Sequence, residues 1–314
     1  MLAFLARRLV TALVTIFLAS ILVFSALLLI PGDPAEAILG INASPQALAA
    51  LREQLGLNVP PVERFANWLA GILRGDFGQS INYQRPVAEL IQARLGVSVP
   101  LALGAMLLAC LIALPLGVFV ALRQGTWLDP FATSFAQLGA AIPSFWLGLM
   151  LILLFSVQLG WLPAGGYTPW ERSPSDAARS LLLPTLALAL GQAAVITRMT
   201  RAAMLDVLRQ DYMRTARAKG LPWRSVILRH GLRNAMITIV TIVGLSLSQL
   251  LVNAIIIEQV FSLPGLGRLL LTAIGTRDFP LLQAEILLYA SAIVSLSLIV
   301  DLCYGLLDPR IRYS

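Results

Sequence analysis

The sequence holds one lysine, one histidine and two cysteines in 314 residues. Each shortage excludes a chemistry. Lys219 is followed by Gly220, whereas a phosphate loop of the form GxxxxGK[ST] needs Ser or Thr there. The chain therefore carries no nucleotide-hydrolysing site of that type. His230 stands in a basic segment with no second His or Cys near it, which argues against a zinc site or a histidine-based triad. Cys110 and Cys303 lie inside apolar runs and give neither a disulfide framework nor metal-ligand spacing. No catalytic residue and no metal ligand is expected. Charge is scarce too, at 12% of residues against about 25% in soluble domains. With 58% hydrophobic residues, these values exclude an ordinary soluble domain, a disordered chain and a disulfide scaffold. They point to lipid as the solvent.

Charge-free stretches locate the spans, each of which needs about 20 apolar residues. The first is Leu9–Ile30. The second lies between Arg94 and Arg123, with Pro100 and Pro115 inside it. The third runs from Phe131 to about Leu159, with Pro143 inside it. The fourth lies between Arg179 and Arg198, the fifth between Arg233 and Glu258, and the sixth covers roughly Leu281–Leu306. The runs are too long and continuous for barrel strands. The expected fold is an all-α integral membrane protein with six transmembrane helices. The 22-residue first run exceeds the usual 7–15-residue core of a signal peptide, so it is read as a retained span despite the small-x-small Ala35-Glu36-Ala37.

Orientation follows the arginines. With the N-terminus inside, 14 of the 23 basic residues fall on the cytoplasmic side, and both termini are cytoplasmic. The organisation expected is 1–30 for the N-terminus and first span, 31–94 for an extracytoplasmic loop, 95–306 for a five-helix transmembrane core containing the cytoplasmic loop 198–234, and 307–314 for a cytoplasmic tail. Three short amphipathic helices are expected in the outer loop. One is capped by Ser44 and carries Leu48, Leu51 and Leu55. One has the stripe Val62, Phe65, Trp68, Leu69, Ile72 and Leu73. One runs from Pro86 to Leu95. Glu285 and Asp301 fall near span ends, where a water-exposed place is expected for each.

The formal charge of +7 is local. Arg198 to Arg233 holds nine basic and two acidic residues, and the rest of the chain sums to zero. Such a loop fixes topology and meets anionic headgroups. It also has more structure than topology requires. The fourth span continues as helix through Met204, Leu208 and Tyr212. Ala216-Arg217-Ala218-Lys219 is strong helix former, Gly220-Leu221-Pro222 breaks it, and a second short helix follows with Trp223, Val226, Ile227 and Leu228. A basic helix–turn–helix elbow of this kind suits docking in a cleft of another protein.

Asp211-Tyr212-Met213-Arg214-Thr215-Ala216-Arg217-Ala218-Lys219-Gly220-Leu221 resembles the cytoplasmic EAA loop of ABC importer permeases, in the wording of the dipeptide/oligopeptide/nickel branch. On the general pattern EAA-x3-G-x9-I-x-L-P, Ala216, Gly220 and Leu232 match, whereas Arg214, Thr215, His230 and Arg233 depart in the manner of that branch. Pro31-Gly32-Asp33-Pro34, Leu55-Gly56-Leu57, Gly75-Asp76-Phe77-Gly78-Gln79-Ser80, Glu258 to Gly267, Arg277-Asp278-Phe279-Pro280 and Asp308-Pro309-Arg310 are similar to its other loops, in the same order. The resemblance covers essentially the whole chain.

The resemblance implies a type I importer permease of the bacterial or archaeal plasma membrane. This subunit and a homologous partner would form a pathway for di- or oligopeptides, with nickel complexes, glutathione or another small solute as alternatives. Two cytoplasmic ATPase subunits would hold ATP and Mg, with no cofactor on this chain, and an extracytoplasmic binding protein would deliver the solute. ATPase coupling falls to Tyr212, Ala216, Arg217, Ala218, Lys219, Gly220, Leu221 and Trp223. Phe261, Pro264, Gly265 and Gly267 are candidate contacts for the binding protein. Pro143, Ser144, Gln192, Ser246, Gln249 and Asn253 are candidate pathway-lining residues, as polar or helix-breaking groups within spans. An ion-driven secondary carrier is the alternative of a different class. Such carriers place ionisable groups near mid-bilayer, and the central thirds of these spans lack charge.

Overall fold

The computed structural model describes residues 2–29, 35–36, 44–54 and 56–307. The Pro31–Pro34 motif, Leu55 and the tail motif Asp308-Pro309-Arg310 lie outside the described residues. Helices carry nearly all of the described chain. They are α1 (Leu2–Leu28), α2 (Pro45–Gln54), α3 (Pro61–Leu73), α4 (Val87–Leu122), α5 (Leu128–Ala141), α6 (Ser144–Gln158), α7 (Pro174–Leu208), α8 (Asp211–Ala218), α9 (Trp223–Val260), α10 (Leu266–Gly275) and α11 (Phe279–Leu307).

Five of these, α1, α4, α7, α9 and α11, contain apolar stretches long enough to cross a membrane. The third expected span takes another form. Pro143 has no N–H to donate and disfavours helical backbone at the residue before it. Ile142 is accordingly extended, at φ −78° and ψ 122°, and the chain turns by 93° between α5 and α6. The span is broken into two half-helices at the proline read from the sequence as lying inside one.

The chain divides into two compact units. The larger takes residues 1–8, 97–264 and 296–314, and the smaller takes 9–96 and 265–295. The larger unit is built on α7. Ser173 caps it, accepting from the Asp176 N–H at 3.3 Å, and Pro174 fills its first turn. Small residues let α4 approach closely. A Cβ on Gly117 would stand 2.8 Å from the Thr197 carbonyl oxygen and 2.7 Å from the Thr200 Cβ. Leu101, Ala105, Ala109, Leu183, Ala187, Ile196, Leu250, Ile257 and Phe261 make the main core of this unit. Asp301 on α11 pairs with Arg8 at 3.1 Å and is partly buried.

In the smaller unit, Val87, Leu90, Ile91, Leu266, Leu269, Ala273, Leu281 and Leu282 pack together. Asp278 is 1% exposed and accepts from the Ser80 hydroxyl and, at 3.0 Å, from the Asn82 N–H, which fastens the outer loop to the head of α11. α2 and α3 form as expected. Ser44 Oγ accepts from the Ala47 N–H at 3.2 Å, and Gly56 and Gly75 follow the two helices at φ +64° and +81°. The expected third loop helix is instead the opening of α4, which starts at Val87 inside the segment assigned to the outer loop and runs on unbroken. Glu285 is fully buried, against the water-exposed place expected for it.

Candidate functional site

The elbow expected on the cytoplasmic side is built from the end of α7, α8 and the start of α9. α8 has only eight residues, too few to be stable alone in water. Tertiary packing holds it. Met213 (2% exposed) and Ala216 turn inward against Val226, with Val207 and Leu208 of α7 closing the cluster. Gly231 keeps this packing tight, since a Cβ there would meet the methyl groups of Met204 and Met213 at 3.5 Å. α8 ends at Lys219, whose N–H donates to the Thr215 carbonyl at 3.1 Å. Gly220 then adopts φ +76° while its N–H donates to the Arg217 carbonyl at 3.0 Å. Only glycine takes that conformation without strain. Extended Pro222 leads into the second helix of the elbow.

The elbow's outer surface carries Tyr212, Arg217, Ala218, Lys219, Gly220, Leu221 and Trp223, all exposed. The Arg217 guanidinium lies 4.5 Å from the centroid of the Trp223 ring, a cation–π contact that ties the two arms across the turn. Partial burial of the Tyr212 phenol raises it above its ordinary range, although the residue stays exposed to solvent. Ala216, grouped in the sequence with the coupling core, faces inward and supports α8 from beneath. Met213 was missed by sequence reasoning. Its apolar spacing from Ala216 and from the end of α7 was the available signal.

The six candidate pathway residues surround one cavity of about 610 Å³. Pro143 and Ser144 come from the break between α5 and α6, Gln192 from α7, and Ser246, Gln249 and Asn253 from α9. The α9 residues recur at helical spacing, so one polar stripe of an otherwise apolar helix faces the space. Gln192 and Ser246 are buried. Among the described residues, Arg198 is the one ionisable group lining it. The neighbouring Ser248 turns elsewhere and donates to the Gly244 carbonyl at 3.3 Å.

In the same unit, one turn beyond Arg198, Arg201 on α7 grips Asp129 on α5 through two hydrogen bonds, Nε to Oδ1 at 2.7 Å and a terminal nitrogen to Oδ2 at 2.8 Å. Bidentate geometry of this kind is both strong and orienting. Sequence reasoning did not single out this pair. Asp129 is the sole acid between Glu89 and Glu171, which was a usable signal. Glu258, fully buried, accepts a hydrogen bond from the Ser98 hydroxyl.

The candidate binding-protein contacts are placed differently from expectation. Phe261 is 1% exposed and lies in the core of the larger unit, where absent side chains at Gly148 and Gly165 make room for it. Gly265 and Gly267 are buried and Pro264 is half-buried. Their burial gives these residues a packing role. The exposed neighbours are Ser262 and Arg268, and Ser262 sits at φ +51°.

Two family models match the chain. Residues 113–313 match the binding-protein-dependent transport system inner membrane component, and residues 1–102 match the N-terminal region of such membrane components. A Brucella abortus (strain 2308) protein, provisionally named a peptide transport system permease protein, is 41% identical over 313 residues, covering 100% of both chains. The glutathione transport system permease protein GsiC of Escherichia coli (strain K12) is 42% identical over 313 residues, again covering 100% of both. A solved chain of the MetNI methionine ABC transporter, in an inward-facing conformation, superposes with a TM-score of 0.58 at 18% identity. It covers 70% of this chain and 96% of its own, which shows a shared fold. With two family models and full-length relatives in agreement, the chain belongs to the family of binding-protein-dependent transport system inner membrane components, the multi-pass permeases of ABC importers.

Proposed function

We propose that this chain is one of two homologous permease subunits of an importer of short peptides, driven by two ATPase subunits that dock on its cytoplasmic elbow. The observation that carries this reading is the continuity of α7. One 35-residue helix bears Gln192 and Arg198 at the cavity and ends in the packed cluster that seats α8. From Gln192 to Leu208 it rises about 24 Å. A stiff helix of that length passes a displacement of the elbow to the cavity wall. The elbow's outer surface suits an ATPase groove, since apolar Leu221 and Trp223 are ringed by Arg217, Lys219 and Arg224. ATP and Mg belong to the partners, whose cycle biases an equilibrium between inward- and outward-open states.

The substrate class rests on the names of relatives. A peptide permease and a glutathione permease share short amide-linked chains as cargo. The cavity's side-chain amides and hydroxyls suit peptide bonds, and its one cation, Arg198, suits a carboxylate. Uptake of labelled di- and tripeptides and of glutathione, in cells with and without this chain, tests the reading. Loss of peptide uptake on deletion is the expected result. Unchanged peptide and glutathione uptake, with nickel or sugar uptake lost instead, overturns the substrate class. Uptake that survives ATPase inactivation and collapses with the ion gradient overturns the coupling.

A further inference from the structure

A second cavity, of about 480 Å³, lies in the smaller unit, and the transport reading gives it no task. One of its walls is a face of α3 on which Arg64, Asn67, Trp68 and Gly71 recur at intervals of three and four residues. Phe24 of α1 forms another wall, and the loop bearing Asp76 a third. The Arg64 guanidinium lies 5.3 Å from the centroid of the Phe24 ring. Trp68 Nε1 is fully buried and has no acceptor among the described residues, so its N–H does not open on the cavity. The carboxylate of Asp76 supplies the opposite charge, and its Oδ1 accepts the Gly78 N–H at 2.9 Å. Gly71 keeps the approach open, since a Cβ there would stand 3.0 Å from the Asp76 carbonyl oxygen. Arg64 therefore asks for an anion, and Asp76 for a cation, within one small space.

The depth of the cavity narrows the choice of occupant. Phe24 is four residues before the last residue of α1, about 6 Å from the end of that span. Phe279, Pro280 and Gln283, at the head of α11, also line the cavity. The space thus sits where two spans emerge on the outer side. Phe65 meets Phe24 edge-to-face and Trp68 packs on it at a tilt, and Phe65 also meets Phe17, so α3 is fastened to α1 by an aromatic cluster of the kind found at membrane–water interfaces. Below it α1 exposes Leu13, Phe17 and Leu18 as hydrocarbon surface. A ligand with a phosphate, an ammonium and two acyl chains meets all of these features at once.

We propose that this cavity holds the headgroup of a zwitterionic phospholipid of the outer leaflet, with its phosphate on Arg64, its ammonium on Asp76, and its acyl chains along α1. The test uses the full chain purified with its partner subunits in nanodiscs of equal phosphatidylethanolamine and phosphatidylglycerol content. Lipid retained after detergent exchange is counted by native mass spectrometry. The expected result is retention of phosphatidylethanolamine over phosphatidylglycerol. Arg64→Gln should weaken it about tenfold, the scale of one charge-assisted hydrogen bond, at an unchanged melting temperature. Asp76→Asn should abolish the preference for phosphatidylethanolamine while leaving phosphatidylglycerol retention as it was. Equal retention of the two lipids by the wild type, no retained lipid, or full retention by Arg64→Gln overturns the proposal. Displacement of the lipid by a zwitterionic dipeptide at micromolar concentration also overturns it, and assigns the cavity to peptide.

Discussion

Met213→Ala is the perturbation that best separates seating of the elbow from its docking surface. Met213 is 2% exposed and touches no candidate partner surface, yet it is the largest side chain in the cluster that holds α8. Truncating a buried methionine costs about 2–5 kcal/mol, the spread reflecting how far a site collapses. Here the lower half applies, because Val207 and Leu208 are only partly buried and can close on the gap. A loss of about 3 kcal/mol lowers the ratio of seated to unseated α8 roughly 150-fold. Few other contacts hold so short a helix, so the loss stays local. The spans remain inserted, since their cores lie elsewhere. The assay pairs amide hydrogen exchange across 211–218 with peptide uptake and stimulated ATPase activity of the whole complex. Exchange in α8 should rise by one to two orders of magnitude, and uptake per ATP hydrolysed should fall. Leu228→Ala, at a 61% exposed position, should leave exchange in α8 unchanged. Unaltered exchange together with normal uptake in Met213→Ala would refute the packing argument. Loss of the entire chain from the membrane would show that the cluster is not local.

Three further outcomes follow from the same geometry. Gly220→Pro removes the N–H donated to Arg217 and cannot reach φ +76°, and Gly220→Trp carries about 1–2 kcal/mol of left-handed strain into open space. Both should insert normally, and both should lower uptake and stimulated ATPase activity together. Asp129→Asn leaves Arg201 without its bidentate partner. With side chains 12% and 23% exposed, a loss of about 1–3 kcal/mol is expected as a lower melting temperature of the complex, and the exchanged pair Asp129→Arg with Arg201→Asp should recover part of it. Gln192→Leu keeps the volume but removes the buried amide from the cavity wall. It should raise the uptake KM for peptides while leaving basal ATPase activity unchanged.

Much of this architecture is written in local signals. Charge-free runs between arginines located the spans because lipid punishes each buried charge. Gly220 and Pro222 marked the elbow because one takes a left-handed backbone and the other cannot continue a helix. The six polar or helix-breaking residues within apolar spans converged on one cavity, since a polar group in lipid finds a place only where helices enclose it. What stayed hidden depends on partners distant in sequence. Pro143 was read as lying inside one continuous span, and nothing local gave the 93° turn that the chain makes there. Pro86–Leu95 carries a helical stripe, and nothing local says that the helix runs on through Pro100 into the span. Phe261 and its glycines look like an exposed turn, and only Gly148 and Gly165, about a hundred residues earlier, turn that phenylalanine into core. Asp129 and Arg201 lie 72 residues apart, so their pairing waits for the fold.

The central claim is that the elbow's outer surface, and not its packed underside, meets an ATPase. Single cysteines at Ala218, Leu221, Met213 and Ala216, in a chain whose Cys110 and Cys303 are replaced by serine, test it by cross-linking to a co-expressed ATPase subunit. Exposed positions 218 and 221 should cross-link, with a yield that changes when ATP is bound, and buried positions 213 and 216 should not. Cross-links at 213 and 216 but none at 218 and 221, or no ATPase cross-link at any elbow position, would contradict the account.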